Sequence, residues 1–142
     1  MRKRSFLLVV FGCALLLVDS AHGSQKQSII AGSDHDEITL TQATQAGTLT
    51  LQPDTYVVQH HASHGQDSIR FMQVKQSQKL RLTRAYTGWY TDTDLIKAGE
   101  VRCRVRPLSA KAQATAATVV TEGGKPRITE VMIKGKAAMY EF

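Results

Sequence analysis

The stretch TYVVQHHASHGQDSIRFMQV, residues 55–74, alternates apolar and polar side chains on both sides of a short Ser63-His64-Gly65-Gln66 corner. Alternation of period two is the mark of a strand, so the stretch predicts a β-hairpin with His64-Gly65 as its two-residue turn. Glycine accepts the positive φ such a turn demands, and histidine is among the few other residues that do so at modest cost. That turn fixes the register. Val58 faces Phe71 and His60 faces Ile69, giving an apolar face of Tyr56, Val58, Ile69 and Phe71, and His60 and His61 point to opposite faces.

Working outward, Ile38 and Leu40, then Leu49 and Leu51, recur at spacing two and predict two short strands separated by residues 42–47, with Pro53-Asp54 as a turn before the hairpin. After the hairpin, residues 79–83 alternate again, with Leu80 and Leu82 inward. Residues 91–99 are punctuated like one short helical turn, with Asp92 or Thr93 as cap and Gly99 as terminator. Residues 100–106 predict a single strand, Val101, Cys103 and Val105 on one face and Arg102, Arg104 and Arg106 on the other. In residues 108–121, Leu108, Ala112, Ala116 and Val119 fit a helical face, whereas the Thr- and Val-rich end favours a strand. A loop followed by a strand is expected, because Glu122-Gly123-Gly124-Lys125 makes a hairpin corner and residues 128–134 supply its second arm. Gly135-Lys136 then turns the chain into residues 137–142. About eight short strands define an all-β domain, a small antiparallel sandwich or partly open barrel.

The N-terminus reads as a signal peptide. Arg2, Lys3 and Arg4 precede an apolar run from Phe6 to Val18 of about 13 residues, short of the roughly 20 that span a bilayer. Ala21-His22-Gly23 places the cut after Gly23, so the expectation is a periplasmic or secreted protein that does not span the membrane once cleaved. Residues 24–36 read as a flexible leader and residues 37–142 as a single β domain. Cys13 leaves with the signal, and Cys103, the one thiol that remains, has no partner for an internal disulfide. Charge is lopsided: residues 24–67 hold one lysine against five acids, net −4, while residues 68–142 hold fourteen Lys or Arg against six acids, net +8. Such asymmetry favours anionic partners, or contact between the two halves of the chain.

Three groups of residues carry candidate chemistry. His60, His61 and His64, with Asp67 or Cys103, offer imidazole and thiolate ligands for zinc or copper. Because His60 and His61 point apart, one site takes His61 with His64, or His60 with Cys103; otherwise His60 belongs to the core edge and the other two are exposed. The arginine stripe Arg102, Arg104 and Arg106, joined by Lys79, Arg81 and Arg84, spaces guanidinium groups about 7 Å apart along a strand. That spacing suits an anionic envelope polymer or an acidic protein, nucleic acid being disfavoured by export, or else it is a solvated sheet face. Tyr86, Trp89 and Tyr90 suit stacking on sugar rings or anchoring a partner, or they form a satellite apolar cluster. No hydrolase, metalloprotease or phosphate-loop motif occurs, and Ser63, His64 and Asp67 are adjacent in a turn rather than set out as a triad. Tyr140 and Phe142 mimic the aromatic finish of outer-membrane barrels, but the chain is too short for eight spanning strands of about 9–11 residues. The expectation is a non-enzymatic exported binding or structural module with a basic face. The alternative is an exported metal-binding protein.

Tyr56-Val57-Val58, Cys103 before Pro107-Leu108, Glu122-Gly123-Gly124, Ile133-Lys134-Gly135 and the terminal Phe142 make the chain resemble small uncharacterised secreted bacterial proteins, a domain of unknown function. The resemblance implies export and a β fold, with no activity attached. Where those proteins often carry a histidine just before the second hairpin arm, this chain has Asp67-Ser68.

Overall fold

Two sheets share one apolar interior. A computed structural model describes residues 26–31, 36–75 and 95–142. Among them are β1 (Lys26–Ala31), β2 (Glu37–Leu40), β3 (Thr44–Ala46), β4 (Leu49–Leu51), β5 (Asp54–Ser63), β6 (Gln66–Val74), β7 (Leu95–Arg102), β8 (Arg104–Pro107), β9 (Ala116–Glu122), β10 (Lys125–Met132) and β11 (Ala138–Glu141). One sheet runs β2-β5-β6-β7. The other runs β1-β9-β10-β11-β8, with β3 and β4 attached through β10. Among the described residues all pairings are antiparallel except β3 with β10, and the sheets do not close into a barrel.

The opening hairpin has the expected register: Val58 pairs with Phe71, His60 with Ile69 and Ser63 with Gln66. His64 and Gly65 adopt φ of 50° and 73°, the double positive φ of a tight hairpin turn whose twist matches its strands. Tyr56, Val58, Ile69 and Phe71 are each 1% exposed or less, and they meet Ile38, Val119, Ile128, Val131 and Tyr140 from the other strands in one core. The Tyr56 ring stands edge-on to Phe71 at 6.3 Å, and its hydroxyl donates to the Gln52 carbonyl at 2.7 Å, which satisfies the polar end of a buried side chain. A second cluster of Val57, Val74 and Leu95, with Met72 against it, lies on the opposite face of the hairpin sheet.

Four expectations need correction. Residues 24–36 contain a strand, since β1 pairs with β9 along its whole length, with Ile30 against the core and its neighbour Ile29 exposed. Residues 42–47 contain β3, three residues held by β4 and β10. Leu95, Ile96 and Gly99 belong to β7 rather than to a helical turn, because β6 offers Val74, Gln73 and Phe71 as ladder partners. At Gly99 the requirement is space: a Cβ there would run into the Leu49 side chain. Finally, residues 100–106 are not one strand. The chain leaves the hairpin sheet after Arg102 and enters the other at Arg104. With β1, β3 and the divided strand, the described residues alone hold eleven strands against the expected eight or so. The loop-then-strand expectation for residues 108–121 holds, with β9 starting at Ala116, and Gly123-Gly124 form the next tight turn at φ of 57° and 76°. The predicted signal segment, together with Lys79, Arg81, Arg84, Tyr86, Trp89 and Tyr90, lies outside the described residues.

Candidate functional site

Alternation places Gln59 and His61 on the outer face of β5, and two cross-strand rows follow from the register. Gln59, Arg70 and Glu100 form one row; His61, Ser68 and Arg102 form the next. The second row opens at the hairpin end into a cleft of about 470 Å³, closed by Ser63, His64, Gln66 and Asp67 from the turn. Within it Glu100 is engaged by three donors. Ser68 Oγ donates to its Oε1 at 2.5 Å, and Arg70 Nε and Lys97 Nζ reach its Oε2 at 3.1 and 3.2 Å. The serine hydroxyl, foremost, and the two cations hold its carboxyl down at about 2.

Arg102 contrasts with Glu100. It lines the same cleft, is exposed, and has no ion pair or side-chain hydrogen bond among the described residues. A second cleft of about 460 Å³ adjoins the first, shares Gln66, Asp67 and Arg102 with it, and continues past Cys103 and Arg104 to Val105. Arg102 therefore stands between two concavities. His64 Nδ1 lies 2.8 Å from Ser63 Oγ, and the His61 ring is half-buried beside Ser68.

His60 faces the other way. Its Nε2 lies 2.7 Å from Asp67 Oδ1, and its ring stacks on Tyr140 with centroids 4.8 Å apart. Cys103 meets the same aspartate through its backbone, its N–H donating to the Asp67 carbonyl at 3.0 Å. Burial, and then the Asp67 carboxylate, push the Cys103 thiol up to about 11, which disfavours the thiolate that both metal ligation and nucleophilic chemistry require. Burial first, then Cys103 and Asp67, also raise the Tyr140 hydroxyl. These four residues are packed together where the chain changes sheets. Among the described residues, no three His, Cys, Asp or Glu side chains are grouped to hold a metal ion.

The arginine stripe is divided with its strand. Arg104 and Arg106 lie on the outer face of the other sheet and converge on Glu141: Arg104 Nη2 reaches Oε2 and Arg106 Nε reaches Oε1, both at 2.6 Å. Glu141 sits directly opposite Glu130 across β10 and β11, a like-charge pairing that is unfavourable by itself. Arg106 also lies 3.7 Å from Glu130 Oε1, so the two arginines neutralise the pair, and Arg104, then Arg106, hold the Glu141 carboxyl below its ordinary value. Of the three, Arg102 keeps its guanidinium uncommitted.

The pattern did not reveal Ser68, Glu100 or Glu141 as site residues. Ser68 and Glu100 are 32 positions apart, and Arg104 and Glu141 are 37 apart, so only the strand pairing brings them together. No protein-family model matches the chain, and no curated protein or solved structure matches it.

Proposed function

We propose that the protein is an exported, non-enzymatic binding module that takes the anionic group of an envelope polymer or an acidic protein at the cleft beside the β5–β6 turn. The observation that carries this reading is Arg102, exposed in the cleft and without a partner among the described residues. A planar guanidinium with its donors free is suited to carboxylate or phosphate oxygens, and two imidazoles and a serine hydroxyl stand around it as further hydrogen-bond donors. Arg104 and Arg106, held by Glu141, contribute a weaker field.

The test is affinity for a soluble polyanion, dextran sulfate, measured by fluorescence anisotropy at several salt concentrations. Arg102→Gln is expected to weaken binding about tenfold or more, in the range of a lost charged hydrogen-bond pair at roughly 1.5–3 kcal/mol. The double change Arg104→Gln with Arg106→Gln is expected to weaken it less. Equal binding by Arg102→Gln and the parent protein would remove the reading.

A second reading, zinc or copper on His61 and His64, rests on both residues lining one cleft. It requires that added zinc raise the melting temperature and that His61→Ala abolish the rise.

A further inference from the structure

We infer that the ligand of this cleft is an acidic oligosaccharide, a uronate-type chain that seats one carboxylate on Arg102 and its hydroxyls on the acidic and amide groups alongside. The inference rests on the anion-binding reading and names the class of anion. Its starting point is that the cleft is not uniformly basic. Arg102, whose guanidinium has no partner among the described residues, lines it together with the acids Asp67 and Glu100 and with Gln66 and Ser63.

Inorganic phosphate presents acceptors in every direction. Seated on Arg102 it would turn some of them toward Asp67 and Glu100, where acceptor meets acceptor. A sugar acid has the complementary pattern, one planar carboxylate that pairs with a guanidinium fork and several hydroxyls, each able to donate as well as accept. Asp67 has capacity for such a donor. Its Oδ1 faces His60 at 2.7 Å, while Oδ2 has no hydrogen bond among the described residues. Glu100 accepts three hydrogen bonds out of the roughly four that a carboxylate can take. Its charge is already countered by Arg70 and Lys97, which leaves the Arg102 charge for the ligand.

The second cleft extends this from a single unit to a chain. The two concavities, about 470 and 460 Å³, each fall in the range of roughly 300–1,000 Å³ typical of small-molecule sites. They meet at Gln66, Asp67 and Arg102. An acidic residue on Arg102 therefore has room for a neighbouring sugar on either side, one toward His61 and Glu100 and one toward Cys103 and Val105.

The experiment is isothermal titration of the signal-cleaved protein with three acidic tetrasaccharides (galacturonate, mannuronate and hyaluronan), with their methyl esters, and with inorganic phosphate. At least one acid tetramer is expected to bind at least tenfold tighter than its ester, with no saturable binding of phosphate and a tenfold or greater loss in Arg102→Gln. Asp67→Asn separates the chemistries by sign. It weakens a sugar acid, whose hydroxyl exchanges a charged acceptor for a neutral amide, and strengthens a simple anion, which loses a repelling charge. Circular dichroism melting of each variant verifies the fold, and the ligand series on the parent protein decides the matter should Asp67→Asn not fold. Phosphate binding without tetramer binding overturns the sugar and leaves the anion cleft standing. Equal binding of acid and ester, or retention by Arg102→Gln, overturns the inference. Silence from all probes, dextran sulfate included, overturns both.

Discussion

His64 is a non-glycine residue at φ 50°, a conformation that costs an L-residue roughly 1–2 kcal/mol unless its side chain is short and polar. His64→Asn should therefore stabilise the protein by about 0.5 kcal/mol in urea denaturation, since Asn-Gly is the favoured pair for this turn. Gly65→Ala should destabilise it by about 1 kcal/mol for the same reason. Glu100 makes a pH prediction. Its folded-state value lies near 2, below the roughly 4.3 of a free glutamate, so it contributes stability that is complete above about pH 4.3 and is lost as pH falls toward 2. In Glu100→Gln that acid-side loss should be smaller when the melting temperature is followed from pH 5 to pH 2; an unchanged profile would contradict it. The turn was legible at this scale because all of its determinants are local. Glu100 was not, because a carboxylate's partner across a sheet leaves no trace in the residues beside it.

Among the elements, the β5–β6 hairpin is the one whose pairing could be written down from its sequence, since a two-residue turn leaves no freedom in register. Its apolar face is correspondingly intolerant: Phe71→Ala, at a fully buried position, should cost about 3–5 kcal/mol, read from the shift in the denaturation midpoint. The strand expected over residues 100–106 shows the opposite case. Val101, Cys103 and Val105 keep their alternation across the break because both sheets face the same interior, so the pattern carries no mark of the change of sheet. The short strand β3 escaped a period-based expectation for another reason, being three residues long, too brief for a period to accumulate, whereas β4 was foreseen from Leu49 and Leu51. At β11, Glu141→Gln should release Arg104 and Arg106 from their shared acceptor. The variant is expected to gain salt-sensitive affinity for dextran sulfate in the anisotropy assay, and no gain would show that those guanidinium groups are not restrained by Glu141.

For the molecule as a whole, the all-β sandwich was foreseeable from turn spacing, whereas the location of its cleft was not. The cleft forms where two pieces distant in sequence converge: the end of the β5–β6 hairpin, residues 61–68, and the end of β7 at Glu100 and Arg102. The basic charge of residues 68–142 counts acids and bases without their pairing, and among the described residues Arg102 emerges as the available cation of the cleft only after Glu100 and Glu141 have claimed their neighbours. The crossing at Cys103 has a further consequence, for cooperativity. No loop intervenes between β7 and β8, and the Cys103 amide is bonded to the Asp67 carbonyl at 3.0 Å. The two sheets are thereby joined through a single peptide with no slack, so this proton should be released to solvent only by global opening. In native-state hydrogen exchange its opening free energy should equal that of complete unfolding, while amides in the three-residue strands β3 and β4 exchange through smaller, local fluctuations.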